Sequence, residues 1–161
     1  MKKYWFLVLV ATLGLSACQQ TNIPKEIKKE SGTSQSIKEL LSEGKSQKCM
    51  FAYTQEGYET RGLLIIKGNK FKQELSIPQK INSMMLYVIS DGDNIYSWNE
   101  STPGVGVKMK LKTMEEKGES AENVPKIDLD KKFDFSCFPS EIEDKEFDLP
   151  TNVKFEDIAE L

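Results

Sequence analysis

The first fact about the residues able to do chemistry is an absence: the 161-residue chain has no histidine. Histidine is the side chain that changes charge near neutral pH, so the commonest general base and the Ser-His-Asp triad are excluded. A structural zinc site normally takes four Cys/His ligands, and only three cysteines are present. The 25 Asp and Glu residues leave carboxylate-pair hydrolysis open by composition, but no spacing singles out a pair. Asp91-Gly92-Asp93-Asn94 and Asp128-Leu129-Asp130 offer calcium-type oxygen ligands, yet neither continues into the D-x-[DN]-x-[DN]-G pattern with its later Glu. The first reads as a hairpin turn, because Gly and Asn accept positive φ. Glu141, Glu143, Asp144, Glu146 and Asp148 read as a solvated charged face, with weak ion binding as the alternative. The expectation is a protein that is not an enzyme and uses no cofactor or metal.

Binding chemistry remains. Met84, Tyr87, Trp98 and Met109 stand in strand-like segments, where β-propensity and core packing account for them. The alternative is that they line an apolar surface for a lipid or peptide, since Met adapts to ligands of varied shape. A nucleic-acid partner is not expected. Residues 18–114 hold 14 Lys/Arg and 10 Asp/Glu, net +4, while residues 115–161 hold 6 and 15, net −9. That basic excess is thin, and an acidic tail could neutralise it.

The N-terminus fixes an address. Lys2 and Lys3 precede an apolar run from Tyr4 to Leu13, a signal-peptide pattern too short for a retained transmembrane helix. Leu15-Ser16-Ala17-Cys18 closes it and resembles the lipobox of bacterial lipoproteins, in which the cysteine is acylated and becomes the first residue. The resemblance implies a signal peptide over residues 1–17, lipidation of Cys18 and anchorage to a membrane outside the cytoplasm. Gln19 stands where Asp signals inner-membrane retention in some two-membrane bacteria, so the outer membrane or cell surface is the expected location. With Cys18 committed to lipid, Cys49 and Cys137 remain in a compartment where disulfides persist. A Cys49–Cys137 bridge is the reading, with two buried free thiols as the alternative.

These residues need elements to position them. Residues 18–35 are polar and Lys-rich and read as a flexible tether. Residues 36–161 read as one domain. Ser36-Ile37-Lys38-Glu39 is a capping box, predicting a short helix over 36–43 that Gly44 stops. Strands are predicted over 49–54, 58–66, 70–76, 84–90, 95–98 and 105–111, joined by turns at Glu56-Gly57, Lys67-Gly68-Asn69 and Asp91-Gly92-Asp93-Asn94. Residues 113–126 read as a mobile loop. The stretch from Phe133 to Pro150, mixing aromatics with acids, reads as irregular chain pinned to the core by Cys137 and its Phe residues. The expected class is α+β: an antiparallel meander of five to seven strands with one short N-terminal helix.

Gly62-Leu63-Leu64-Ile65-Ile66-Lys67-Gly68-Asn69-Lys70-Phe71-Lys72-Gln73-Glu74 and Tyr87-Val88-Ile89-Ser90-Asp91-Gly92-Asp93-Asn94-Ile95-Tyr96-Ser97-Trp98 resemble the central hairpins of the lipoprotein-carrier superfamily, which contains LolA and LolB. The similarity covers about residues 37–111. It implies an incomplete antiparallel barrel packed on helix, with an apolar hollow that holds acyl chains or a lipoprotein segment. The chain is also similar to small bacterial lipoproteins with an SDGD-x-x-Y-x-W run and a late Cys near FDLP. Its C-terminus follows no carrier pattern. The functional expectation is a membrane-anchored, non-enzymatic envelope lipoprotein binding a lipid or acyl chain. The alternative is a structural or protein-interaction lipoprotein without a small-molecule ligand.

Overall fold

A computed structural model describes residues 33–55, 57–79, 82–112 and 128–158. The signal segment, Cys18, most of the tether and the 113–126 loop lie outside the described residues.

The first described element is β1 (Thr33–Ser36), which takes in the last three residues of the segment read as tether. These residues carry no apolar pattern, and a polar edge strand is invisible to periodicity. Helix α1 (Ile37–Ser42) follows directly. Its Ser36 side chain accepts from the Glu39 amide at 3.1 Å, and Glu39 accepts from the Ser36 amide at 2.8 Å, the reciprocal capping box the sequence predicts. Gly44 ends it at φ 64°, and its amide donates to the Leu41 carbonyl at 3.0 Å. A six-residue helix is unstable alone. Ile37 and Leu40 hold this one by joining the main apolar cluster, each only 1 % exposed. Burying two such side chains contributes about 3–6 kcal/mol.

The six predicted strands are present at nearly the predicted bounds: β2 (Gln47–Gln55), β3 (Tyr58–Lys67), β4 (Lys70–Pro78), β5 (Ser83–Ser90), β6 (Asn94–Asn99) and β7 (Val105–Lys110). They pair antiparallel in sequence order. Two further strands make the sheet larger than the meander. β8 (Lys132–Pro139) inserts antiparallel between β1 and β2, and β9 (Lys154–Asp157) pairs parallel with β7. The result is one nine-stranded mixed sheet, ordered β1-β8-β2-β3-β4-β5-β6-β7-β9 and not closed.

β8 corrects the expectation of irregular chain. Phe133, Phe135 and Cys137 alternate with Asp134 and Ser136, the period-2 pattern of a strand. Directly opposed Cys49 and Cys137 are joined by a disulfide, as the cysteine count predicts. After Pro139 the chain runs across the sheet, through a short 3-10 helix (Asp144–Phe147), to reach β9 at the far edge.

Candidate functional site

Register sorts the side chains onto two faces. The face joined by α1, here the inner face, carries three rows running across the strands. One is Gln47, Ile66, Phe71, Ser90, Ile95 and Met109; the next is Cys49, Leu64, Gln73, Val88, Ser97 and Val107. The third begins with Phe51, Gly62, Leu75 and Leu86. Burial falls in one direction along every central strand. On β4 it runs from Phe71 at 0 % exposure through Leu75 at 8 % to a half-buried Ile77, and on β5 from a sealed Val88 to a half-buried Met84. On β2 it runs from sealed Cys49 to half-buried Tyr53. Leu64, Ile66, Phe71 and Val88 expose no surface, so no water-sized void touches them. The interior near those four residues is filled. On β2, β4 and β5 the inner face opens toward the end at which β2 gives way to β3 and β4 to β5.

At that open end Tyr53, Ile77, Met84 and Phe133 are half-buried. Tyr53 and Phe133 lie with ring centroids 5.2 Å apart, and both neighbour Phe51. The Lys131 ammonium stands 4.7 Å from the Tyr53 centroid and 5.2 Å from that of Phe133, within cation–π range. An apolar rim with the Lys131 cation over it can hold a chain-like apolar ligand and meet an anionic head group. Among its described residues there is no nucleophile–base arrangement.

The opposite, outer face is built differently. Tyr87 and Trp98 are direct cross-strand partners with rings stacked at 5.3 Å. Phe155 of β9 closes the group, edge-on to Trp98 at 5.7 Å and to Tyr96 at 5.3 Å. It lies where a side chain on Gly106 would sit: an added Cβ would come within 2.6 Å of the Phe155 ring. Burial, then Glu100 and Glu74, push the Tyr87 phenol above its usual pKa. Lys72 and Glu74 pair at 2.9 Å on this face, with the Glu74 side chain only 8 % exposed.

The candidate ligand residues therefore do not form one site. Met84 lies at the open end of the inner face, and Met109 sits on the same face beside Ile95 at the filled end. Tyr87 and Trp98 lie on the outer face. Strand parity explains this, since Met84 and Tyr87 are three apart and successive side chains alternate. The strand pairing that sets Ile77 opposite Met84 could have found Ile77. Phe133 belongs to the alternating pattern of β8, but its arrival at this end, with Lys131 before it, depends on a non-local pairing.

The acidic motifs resolve into turns. Asp91 Oδ1 accepts from the Asp93 and Asn94 amides at 2.9 and 2.7 Å, and Asp91 Oδ2 from the Tyr96 hydroxyl at 3.3 Å. Despite opposing burial, these bonds hold its carboxyl below the usual range. Asp128 Oδ1 accepts from the Asp130 and Lys131 amides, each at 3.1 Å. Among the described residues no group of three or more His, Cys, Asp or Glu is placed to hold a metal ion. Asp144 and Glu146 are not merely solvated: they meet Lys67 at 3.0 Å and Lys48 at 3.7 Å.

Comparison with protein-family models, curated proteins and solved structures finds no match to this chain.

Proposed function

We propose that this chain is a lipid-anchored envelope lipoprotein whose non-enzymatic domain works as an incomplete barrel. It takes an apolar chain, such as an acyl chain, at the open end of the inner face. The observation that carries this reading is the shared burial gradient on β2, β4 and β5, ending in half-buried Tyr53, Ile77 and Met84. A hydrocarbon laid over them completes their burial at about 25 cal/mol per Å² of apolar surface, while Lys131 stands ready for an anionic head group.

The anchor and the ligand are tested separately. Cys18→Ser is expected to move the protein from the membrane to the soluble fraction, because acyl chains supply roughly 0.8 kcal/mol per buried CH₂. Unchanged membrane partitioning would refute the anchor. For the ligand, the protein is titrated with a fluorescent fatty acid. Ile77→Glu and Met84→Glu each put a carboxylate under the hydrocarbon and are expected to weaken binding by about tenfold or more. Tyr87→Ala, on the outer face, should leave binding unchanged. Failure of the unaltered chain to bind, or equal binding by all three variants, would sink the ligand reading.

A further inference from the structure

The open end of the inner face is edged by a single row of side chains running across the strands. Tyr53 is opposite Thr60, and Ile77 is opposite Met84. The β3–β4 register, which sets Arg61 against Ser76, brings Thr60 and Ile77 side by side. The β8–β2 register, which sets Ser136 against Met50, brings Phe133 beside Tyr53. Phe133, Tyr53, Thr60, Ile77 and Met84 thus cross β8, β2, β3, β4 and β5 in order.

Three boundaries give this row the shape of a trough. Toward the core, Phe51, Leu75 and Leu86 of the next row are buried, so a chain cannot run down along the strands. At one end the row stops with β5. There β6 ends at Asn99, level with Leu86, and Ser101 and Thr102 beyond it are exposed. At the other end the Lys131 ammonium stands over the Tyr53 and Phe133 rings. The charged residues beside it are committed elsewhere, Asp130 to Lys38 at 3.9 Å and Lys132 to Glu39 at 3.3 Å. The five residues of the row are uncharged, so Lys131 gives the trough one cationic end and one apolar end.

We propose that this trough takes one unbranched fatty carboxylate lying across the strands, its head group at Lys131 and its methyl end at Met84. The proposal rests on the acyl-chain reading above and adds to it an orientation and a length. Five strands span four spacings of about 4.8 Å, or about 19 Å. Carbon–carbon bonds of about 1.5 Å meeting at about 111° advance about 1.25 Å per carbon, so about fifteen carbons fill the row. One ammonium balances one carboxylate, whereas a phosphate monoester brings nearly two negative charges.

Unbranched carboxylic acids of eight to twenty carbons, each below its micellar concentration, are titrated against the full-length chain. Alcohols and alkyl phosphates of equal length are titrated beside them. Acid affinity should rise about two- to fourfold per carbon up to about fifteen carbons and then level, because further methylenes lie in water. Lys131→Gln should weaken the acids about tenfold and leave the alcohols unchanged. Met84→Trp, which fills the width of the last strand, should lower the levelling point by about four carbons. Four results would each overturn the trough: a rise that continues to twenty carbons, a levelling point unmoved by Met84→Trp, equal losses of acids and alcohols with Lys131→Gln, or tighter binding of the phosphate than of the acid. If no acid of any length binds the unaltered chain, the acyl-chain reading falls as well.

Discussion

Replacing Cys49 and Cys137 together by Ala is expected to lower the unfolding free energy by about 4–5 kcal/mol, the chain-entropy value for a loop of this length. The two residues are 88 apart in sequence. Their bridge lies where the fold most needs a staple. The meander from β2 to β7 assembles from neighbouring strands, but β8 reaches β2 from the far end of the chain and pairs through only Gln47 to Met50. It also brings in β1 and leads into the segment after Pro139 that crosses the sheet. Domains of this size have about 5–15 kcal/mol of stability, so the loss approaches the lower end of the whole. Urea unfolding measures it. An unfolding free energy within about 0.5 kcal/mol of the unaltered protein's would mean that packing alone holds β8. Reduction without mutation should be slow. Cys49 is fully buried while Cys137 is exposed. A thiolate attacking the accessible Cys137 sulfur must expel the Cys49 thiolate into apolar surroundings, where the charge is disfavoured.

What could be read in advance follows the range of the forces involved. The capping box, the Gly44 stop and the six meander strands are local patterns, and they appear at nearly the expected residues. β8 had a local pattern too, in Phe133, Phe135 and Cys137. Its place between β1 and β2, however, depends on a partner more than 80 residues away. β1 and β9 are short and polar, and edge strands of that kind are defined only by the neighbour they join. The candidate site divides the same way. Parity alone separates Met84 from Tyr87, but the burial gradient that makes the inner face open at one end depends on how the whole sheet packs. The charge asymmetry was legible as a total, basic first and acidic last. Its meaning was not, because pairing Asp144 with Lys67 requires the path of the segment after Pro139 across the sheet.

The second large effect is expected at Gly62, and it is a test of shape rather than of chain entropy. Gly62 opposes Phe51 across β2 and β3, and a Cβ built there would overlap the Phe51 ring and stand 3.0 Å from Leu75 Cδ2. The ring cannot retreat. It is 1 % exposed and held at 5.0 Å centroid separation by both Phe133 and Phe135. Gly62→Ala should therefore cost about 1–3 kcal/mol by overpacking. Phe51→Ala should cost about 3–5 kcal/mol by leaving a cavity. Combined, the new methyl enters the space that the ring vacates. The double variant should be more stable than the sum of the singles by about 2 kcal/mol, well outside the additivity expected of independent sites. Additivity within about 0.5 kcal/mol would mean that the backbone shifts to admit the methyl and that the contact is not a constraint. The pair also matters for binding, because Phe51 packs beside Tyr53 and Phe133 at the open end. If that end takes a hydrocarbon, Phe51→Ala deepens the floor beneath it. Gly62→Ala in the same chain should partly refill that floor, so fatty-acid affinity and stability should recover together.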